Sequence, residues 1–164
     1  MKNKSISKRQ CSKSFKIIMF VLTACLIAFA FIHSSMPADV SGEESENVMF
    51  FLQNILKFLG FSTELTDHIV RKAAHFIEYA AIGSLLMCCA YSFNRFKPYK
   101  YYVHMLFAGL ATAVCDETIQ LNVVGRSGQV VDVLLDFSGV IFGTLIMLVA
   151  FTIYKRIRKI NGGR

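Results

Sequence analysis

Acidic residues are missing from three stretches of this 164-residue chain: the first sixteen positions, the segment 94–100 and the last ten positions. Those stretches hold Lys2, Lys4, Lys8, Arg9, Lys13 and Lys16, then Arg95, Lys97 and Lys100, then Lys155, Arg156, Arg158, Lys159 and Arg164, most of the eighteen basic residues. Each stretch sits beside an apolar run rather than along one face. That distribution argues against nucleic acid as the partner behind the net charge of +7. Charge of either sign is scarce, at 18%, against 54% hydrophobic residues and a mean hydropathy of +0.48. A soluble domain of this length is excluded, and the class is an integral membrane protein. Metal signatures are also lacking, since no His-Glu-x-x-His occurs. Of the five cysteines, Cys11 lies in the basic tail and Cys25, Cys88, Cys89 and Cys115 fall within apolar runs, with no paired spacing. No disulfide framework, metal site or identifiable cofactor follows, and the cysteines read as packing residues.

What is present is apolar sequence in runs. Ile17 to His33 reaches spanning length if counted from Phe15, and reads as an uncleaved anchor. The alternative, a signal peptide cut near Ala28-Phe29-Ala30, suits the long basic region and the later membrane runs less well. Ser34 to Glu46 is small and acidic, an exposed loop, and Val48 to Phe61 is too short to span. Its Val48, Phe51, Leu52, Ile55 and Leu59 recur at helical spacing, which predicts an interfacial helix on the outer leaflet. Ala73 to Phe93, Tyr101 to Leu121 and Val130 to Tyr154 are the second, third and fourth spans. The expected fold is therefore all-α: a polytopic membrane protein with four transmembrane helices and a short interfacial helix in the first outer loop. Four units follow: a basic tail and first helix over 1–33, an outer loop over 34–70, a three-helix core over 71–154 and a basic tail over 155–164. The acid-free basic segments lie on one side, so both termini are expected to be cytoplasmic in a bacterial cytoplasmic membrane.

Five of the eleven acidic residues fall inside the expected spans: Glu78, Asp116, Glu117, Asp132 and Asp136. An unpaired charge at mid-bilayer costs roughly 2.5–3.5 kcal/mol on insertion scales, so these groups need compensation. All five, with His75 and Gln120, lie within about two helical turns, ~10 Å, of the outer boundary. Spacing within each span is helical: His75 to Glu78 and Tyr79, Asp116 to Gln120, Asp132 to Asp136. Each set therefore points one way, and the inward direction costs least. Arg71, Lys72 and Arg126, with the outward-facing N-termini of spans two and four, make an anion seat above this layer. Glu78, Glu117 and Asp132 are candidate general bases, with His75 and Asp116 in the same acid/base network, and Arg71, Lys72, Tyr79, Gln120, Arg126 and Asp136 are candidate ligand-binding residues. A purely structural role stays open, with Arg126 and Lys72 neutralising Asp132, Glu117 or Glu78 in buried pairs. Gly83, Gly139 and Gly143 read as helix-packing positions.

At these residues the chain resembles the VanZ-like family of bacterial membrane proteins. The family pattern of Lys-x-x-His-Phe, Glu-Tyr and Gly stands here as Lys72, His75, Phe76, Glu78, Tyr79 and Gly83. Asp-Glu-x-x-Gln, Gly-Arg and an Asp leading to Gly-x-x-x-Gly follow as Asp116, Glu117, Gln120, Gly125, Arg126, Asp132, Gly139 and Gly143. Ile82 stands where a leucine is usual, and Asp136 where an asparagine is common. The resemblance implies an envelope protein linked to glycopeptide resistance of the teicoplanin type. Together with the anion seat it leads to an expected partner, a membrane lipid or lipid-linked cell-wall precursor. A hydrolase or transferase acting on a lipid head group is the alternative, and a homo-oligomer stays open.

Overall fold

The computed structural model describes residues 11–37, Phe50 and 66–161. Four long helices account for most of them: α1 (Lys13–Ser34), α2 (Asp67–Phe93), α3 (Tyr102–Gln120) and α4 (Val130–Asn161). No strand occurs among the described residues. Of the expected interfacial helix over 48–61 only Phe50 is among the described residues, and it is helical.

Local chemistry sets the helix ends. Ser12 caps α1, its Oγ accepting from the Phe15 amide at 3.2 Å. After α2, the Asn94 side chain accepts from the amides of Phe96 and Lys97 at 3.2 and 3.1 Å. That turn hands the chain to Pro98, whose fixed φ opens a 3-10 turn, Pro98–Tyr101, leading into α3. Between α3 and α4 the backbone turns at Gly125 with φ 78°, a left-handed conformation that costs glycine nothing. α4 continues past the expected end at Tyr154 through Lys155, Arg156 and Arg158 to Asn161. Lysine and arginine are good helix formers, and positive charge in a last turn is favoured by the helix dipole.

The helices run alternately up and down. At one end Ser34 of α1 donates to Asp116 near the end of α3, and Lys72 early in α2 pairs with Asp132 early in α4. At the other, the Cys11 amide donates to the Ser92 carbonyl, the Phe93 ring meets Tyr101, and Lys155 Nζ donates to the Phe96 carbonyl. α2 is the hub, packing on α1 and α3 and most extensively on α4. Its seam with α4 is backbone on backbone. A Cβ on Gly139 would sit 2.5 Å from the Phe76 carbonyl oxygen, and one on Gly143 would collide with the Ala80 carbonyl. Ala30, Tyr79, Ile82, Leu86, Ala113 and Val140 form the apolar core between the four helices.

Three helical segments are long and apolar enough to cross a membrane: Lys13–Ser34, His68–Phe93 and Val130–Arg158. α3, expected as the third span, is not among them. His104, Asp116, Glu117 and Gln120 lie within its nineteen residues and dilute its apolar character. The outer surface is one that water would not tolerate on a monomer. Only 11% of the most apolar window of α1 is buried inside the protein, and Val103 and Phe107 are each 73% exposed.

Candidate functional site

The helix ends that meet around Ser34 enclose a polar layer. Asp116 comes from the last turn and a half of α3 because the helix phase that buries Ala113 also turns residue 116 inward. Its carboxylate is fully buried, and Oδ2 accepts from Ser34 Oγ at 2.8 Å and from Gln120 Nε2 at 3.4 Å. Gln120, one turn on, also donates to Glu117 Oε1 at 3.2 Å. The other oxygen of Glu117 accepts from the Gln129 amide at 3.0 Å. That contact sets a carboxylate at the positive end of α4, where both the dipole and a free N–H favour it.

From α2, His75 points Nδ1 at Asp136 Oδ1, 3.6 Å away, and at Asp116 Oδ2, 4.0 Å away. Asp136 is 1% exposed, and neither of its oxygens has a hydrogen-bond partner among the described residues. Tyr79, one turn beyond His75, is fully buried with its hydroxyl against the Asp116 carboxylate. Glu78 is half-buried near His75 with Oε1 unpaired among the described residues. It does not line the cavity described next.

Above this layer opens a cavity of about 190 Å³. Asp136, His75, Glu117 and Gln120 form its floor, and Arg71, Lys72, Arg126 and Asp132 its walls. Lys72 Nζ lies 2.9 Å from Asp132 Oδ1, so one cation is matched to one carboxylate, as the structural alternative foresaw for this pair. Asp132 and Asp136, four residues apart, thus do different things: the first meets Lys72 at the rim, the second faces His75 below. Arg126 is anchored to the first helix, donating from a terminal nitrogen to the His33 carbonyl at 3.2 Å. Burial, and next the positive charge of Arg71, hold the Arg126 guanidinium below its ordinary value. Two guanidinium groups sharing one wall attract anions, and each is a fork suited to carboxylate or phosphate oxygens.

Ser34, the His33 carbonyl, His68 and Gln129 belong to this site without having been candidates in the sequence. Ser34 closes an apolar run with nothing to mark it, and its partner is 82 residues away. The His33 and Gln129 contacts use backbone atoms that every residue carries. The convergence of His75, Asp116 and Asp136, one ligand-type atom from each within 4.8 Å of the others, is equally invisible to spacing, because each comes from a different helix.

A bundle of alternating helices, three of them apolar enough to cross a membrane, enclosing a charged layer under a cationic cavity, defines a multi-pass membrane protein. Residues 19–152 match the family model for VanZ/LLP1, and the chain belongs to that family. Neither the curated proteins nor the solved structures compared with the chain gave a match.

Proposed function

We propose that this protein binds the phosphate-bearing head group of an anionic lipid or lipid-linked cell-wall precursor at the outer leaflet, and thereby alters the access of glycopeptides of the teicoplanin type. The observation that carries this reading is the pairing of Arg71 and Arg126 in the wall of one polar cavity beside acyl-facing helix surfaces. A lipid can enter such a site sideways with its tails still in the bilayer. In this reading α3 also crosses the membrane. Its nineteen residues span about 28 Å at ~1.5 Å per residue, close to a hydrocarbon core of ~30 Å. It meets neighbouring helices at both ends, which supports four spans. The acid-free basic segments of the sequence support an orientation with both termini cytoplasmic and the cavity outside.

The test is lipid capture by the full-length protein in nanodiscs, with bound phospholipid and lipid-linked precursor quantified by mass spectrometry and teicoplanin susceptibility measured in expressing cells. Arg126→Ala is expected to lower precursor retention about tenfold or more, the loss of one bidentate charge-assisted contact. Lys72→Ala should do less, because Lys72 is matched to Asp132. Unchanged retention and unchanged susceptibility in both variants, with the protein still in the membrane, would sink the reading. A second reading, a hydrolase or transferase acting on the head group, is favoured by the Glu117 carboxylate and His75 at the cavity floor. Product formation from labelled envelope lipid that is abolished by Glu117→Gln is what this reading expects.

A further inference from the structure

Between α2, α3 and α4, His75, Asp116 and Asp136 bring one ligand-type atom each within 4.8 Å of the others. Both oxygens of Asp136 and Oδ1 of Asp116 have no hydrogen-bond partner in good geometry among the described residues, and both side chains are at most 1% exposed. His75 Nδ1 lies 3.6 Å from Asp136 Oδ1, long for a hydrogen bond. Unsatisfied buried atoms of this kind are rare in folded proteins, and Asp136, with both oxygens open beside His75, asks for a partner.

Charge leads to the same place. Asp116 and Asp136 are two carboxylates against one imidazole. The cations that might have balanced them are engaged elsewhere, Lys72 with Asp132 at 2.9 Å and Arg126 with the His33 carbonyl. One divalent ion would neutralise the two carboxylates and leave the imidazole neutral, the form that ligates.

We propose that His75, Asp116 and Asp136 bind a single divalent transition-metal ion, zinc or manganese, at the floor of the cavity. One ligand atom from each already lies within 4.8 Å of the other two, with His75 Nδ1 at 3.6 Å from Asp136 Oδ1 and 4.0 Å from Asp116 Oδ2. Donors held ~2.0–2.2 Å from a tetrahedral ion are about 3.4 Å apart, so the three need draw in by no more than roughly an ångström and a half. Imidazole together with carboxylate suits a first-row transition metal better than magnesium or calcium. Asp116 is pre-oriented by Ser34 and Gln120 on Oδ2, the kind of outer hydrogen bonding that holds a metal ligand in place. His75 and Asp136 also line the cavity, so a fourth position faces the space where an anion would sit. The ion's ligands all come from this chain, and the proposal does not rest on lipid binding.

Full-length protein, purified in detergent through a tag without histidine and stripped with EDTA, is dialysed against Zn²⁺ or Mn²⁺ and its metal content measured by plasma mass spectrometry. About one equivalent should be retained, together with a rise in the temperature at which helical circular dichroism is lost. His75→Ala and Asp136→Asn should each retain under about a tenth of an equivalent and show no metal-dependent rise. Arg126→Ala, expected to lose the phosphate lipid, should keep the ion. Folded wild-type protein that holds neither metal overturns the proposal, as does a folded Asp136→Asn or His75→Ala variant that holds a full equivalent. Where neither variant folds, the wild-type metal content alone decides.

Discussion

Ser34 shows how a small side chain supports a buried charge. Its hydroxyl is the shortest of the hydrogen bonds to Asp116, at 2.8 Å, and it reaches across from a different helix. Ser34→Ala would leave Gln120 Nε2 at 3.4 Å as the remaining donor to that oxygen. Removing one donor from a buried acceptor costs about 1–3 kcal/mol. The expected outcome is a lower unfolding midpoint of the detergent-solubilised protein, with helix content unchanged at low temperature. The same substitution made on Asp116→Ala should cost close to nothing, because the acceptor is gone. A full loss of stability in that double variant would assign Ser34 some other role. At this scale the sequence was readable where a helix repeats itself: Asp116 with Gln120 one turn on, and His75 with Tyr79, share faces that the four-residue spacing announces. Ser34 was not readable, since no local rule links residue 34 to residue 116.

Among the elements, the seam between α2 and α4 determines how closely charged groups can face one another. Gly139 and Gly143 sit against the Phe76 and Ala80 carbonyls, so His75 and Asp136 approach across a backbone-to-backbone contact. Gly143→Val inserts a branched side chain where backbone already stands. Overpacking costs ~1–3 kcal/mol at sites that can yield, and this one has only backbone to move, so about 3 kcal/mol or more is expected. Loss of the folded form in a detergent melt would report it. Equal stability of wild type and Gly143→Val would show that the helices can separate freely. The small-xxx-small pattern made this seam legible in the sequence. The length of α4 was less so, because charge beyond Tyr154 reads as a tail although lysine and arginine extend a helix readily. The short stretch over 48–61 lies, apart from Phe50, outside the described residues.

For the whole molecule, the alternation of helices brings the last turn of α1, the first turns of α2 and α4 and the last turns of α3 to one end, and Lys13, Lys16, Arg95, Lys97, Lys100, Lys155, Arg156 and Arg158 to the other. With the five native cysteines replaced, a cysteine at position 126 should react with a membrane-impermeant maleimide on intact cells. One at position 97 should react only after permeabilisation. The opposite pattern would turn the protein over and move the cavity to the cytosolic side. Helix number and charge asymmetry were legible because the bilayer imposes them on any sequence. The status of α3 was harder to read: the residues that make it part of the site are the ones that make it look less like a span.

His33 and Ser34 close α1, while Asp136 belongs to α4, about a hundred residues later. The polar layer therefore cannot exist until α4 has been made, and His75 and Asp116 must wait before Asp136 arrives. Their position within a few turns of the helix ends lets each remain near hydrated head groups during that interval. Maturation should accordingly be a late, single event, in which the arrival of α4 converts several separately inserted helices into one unit.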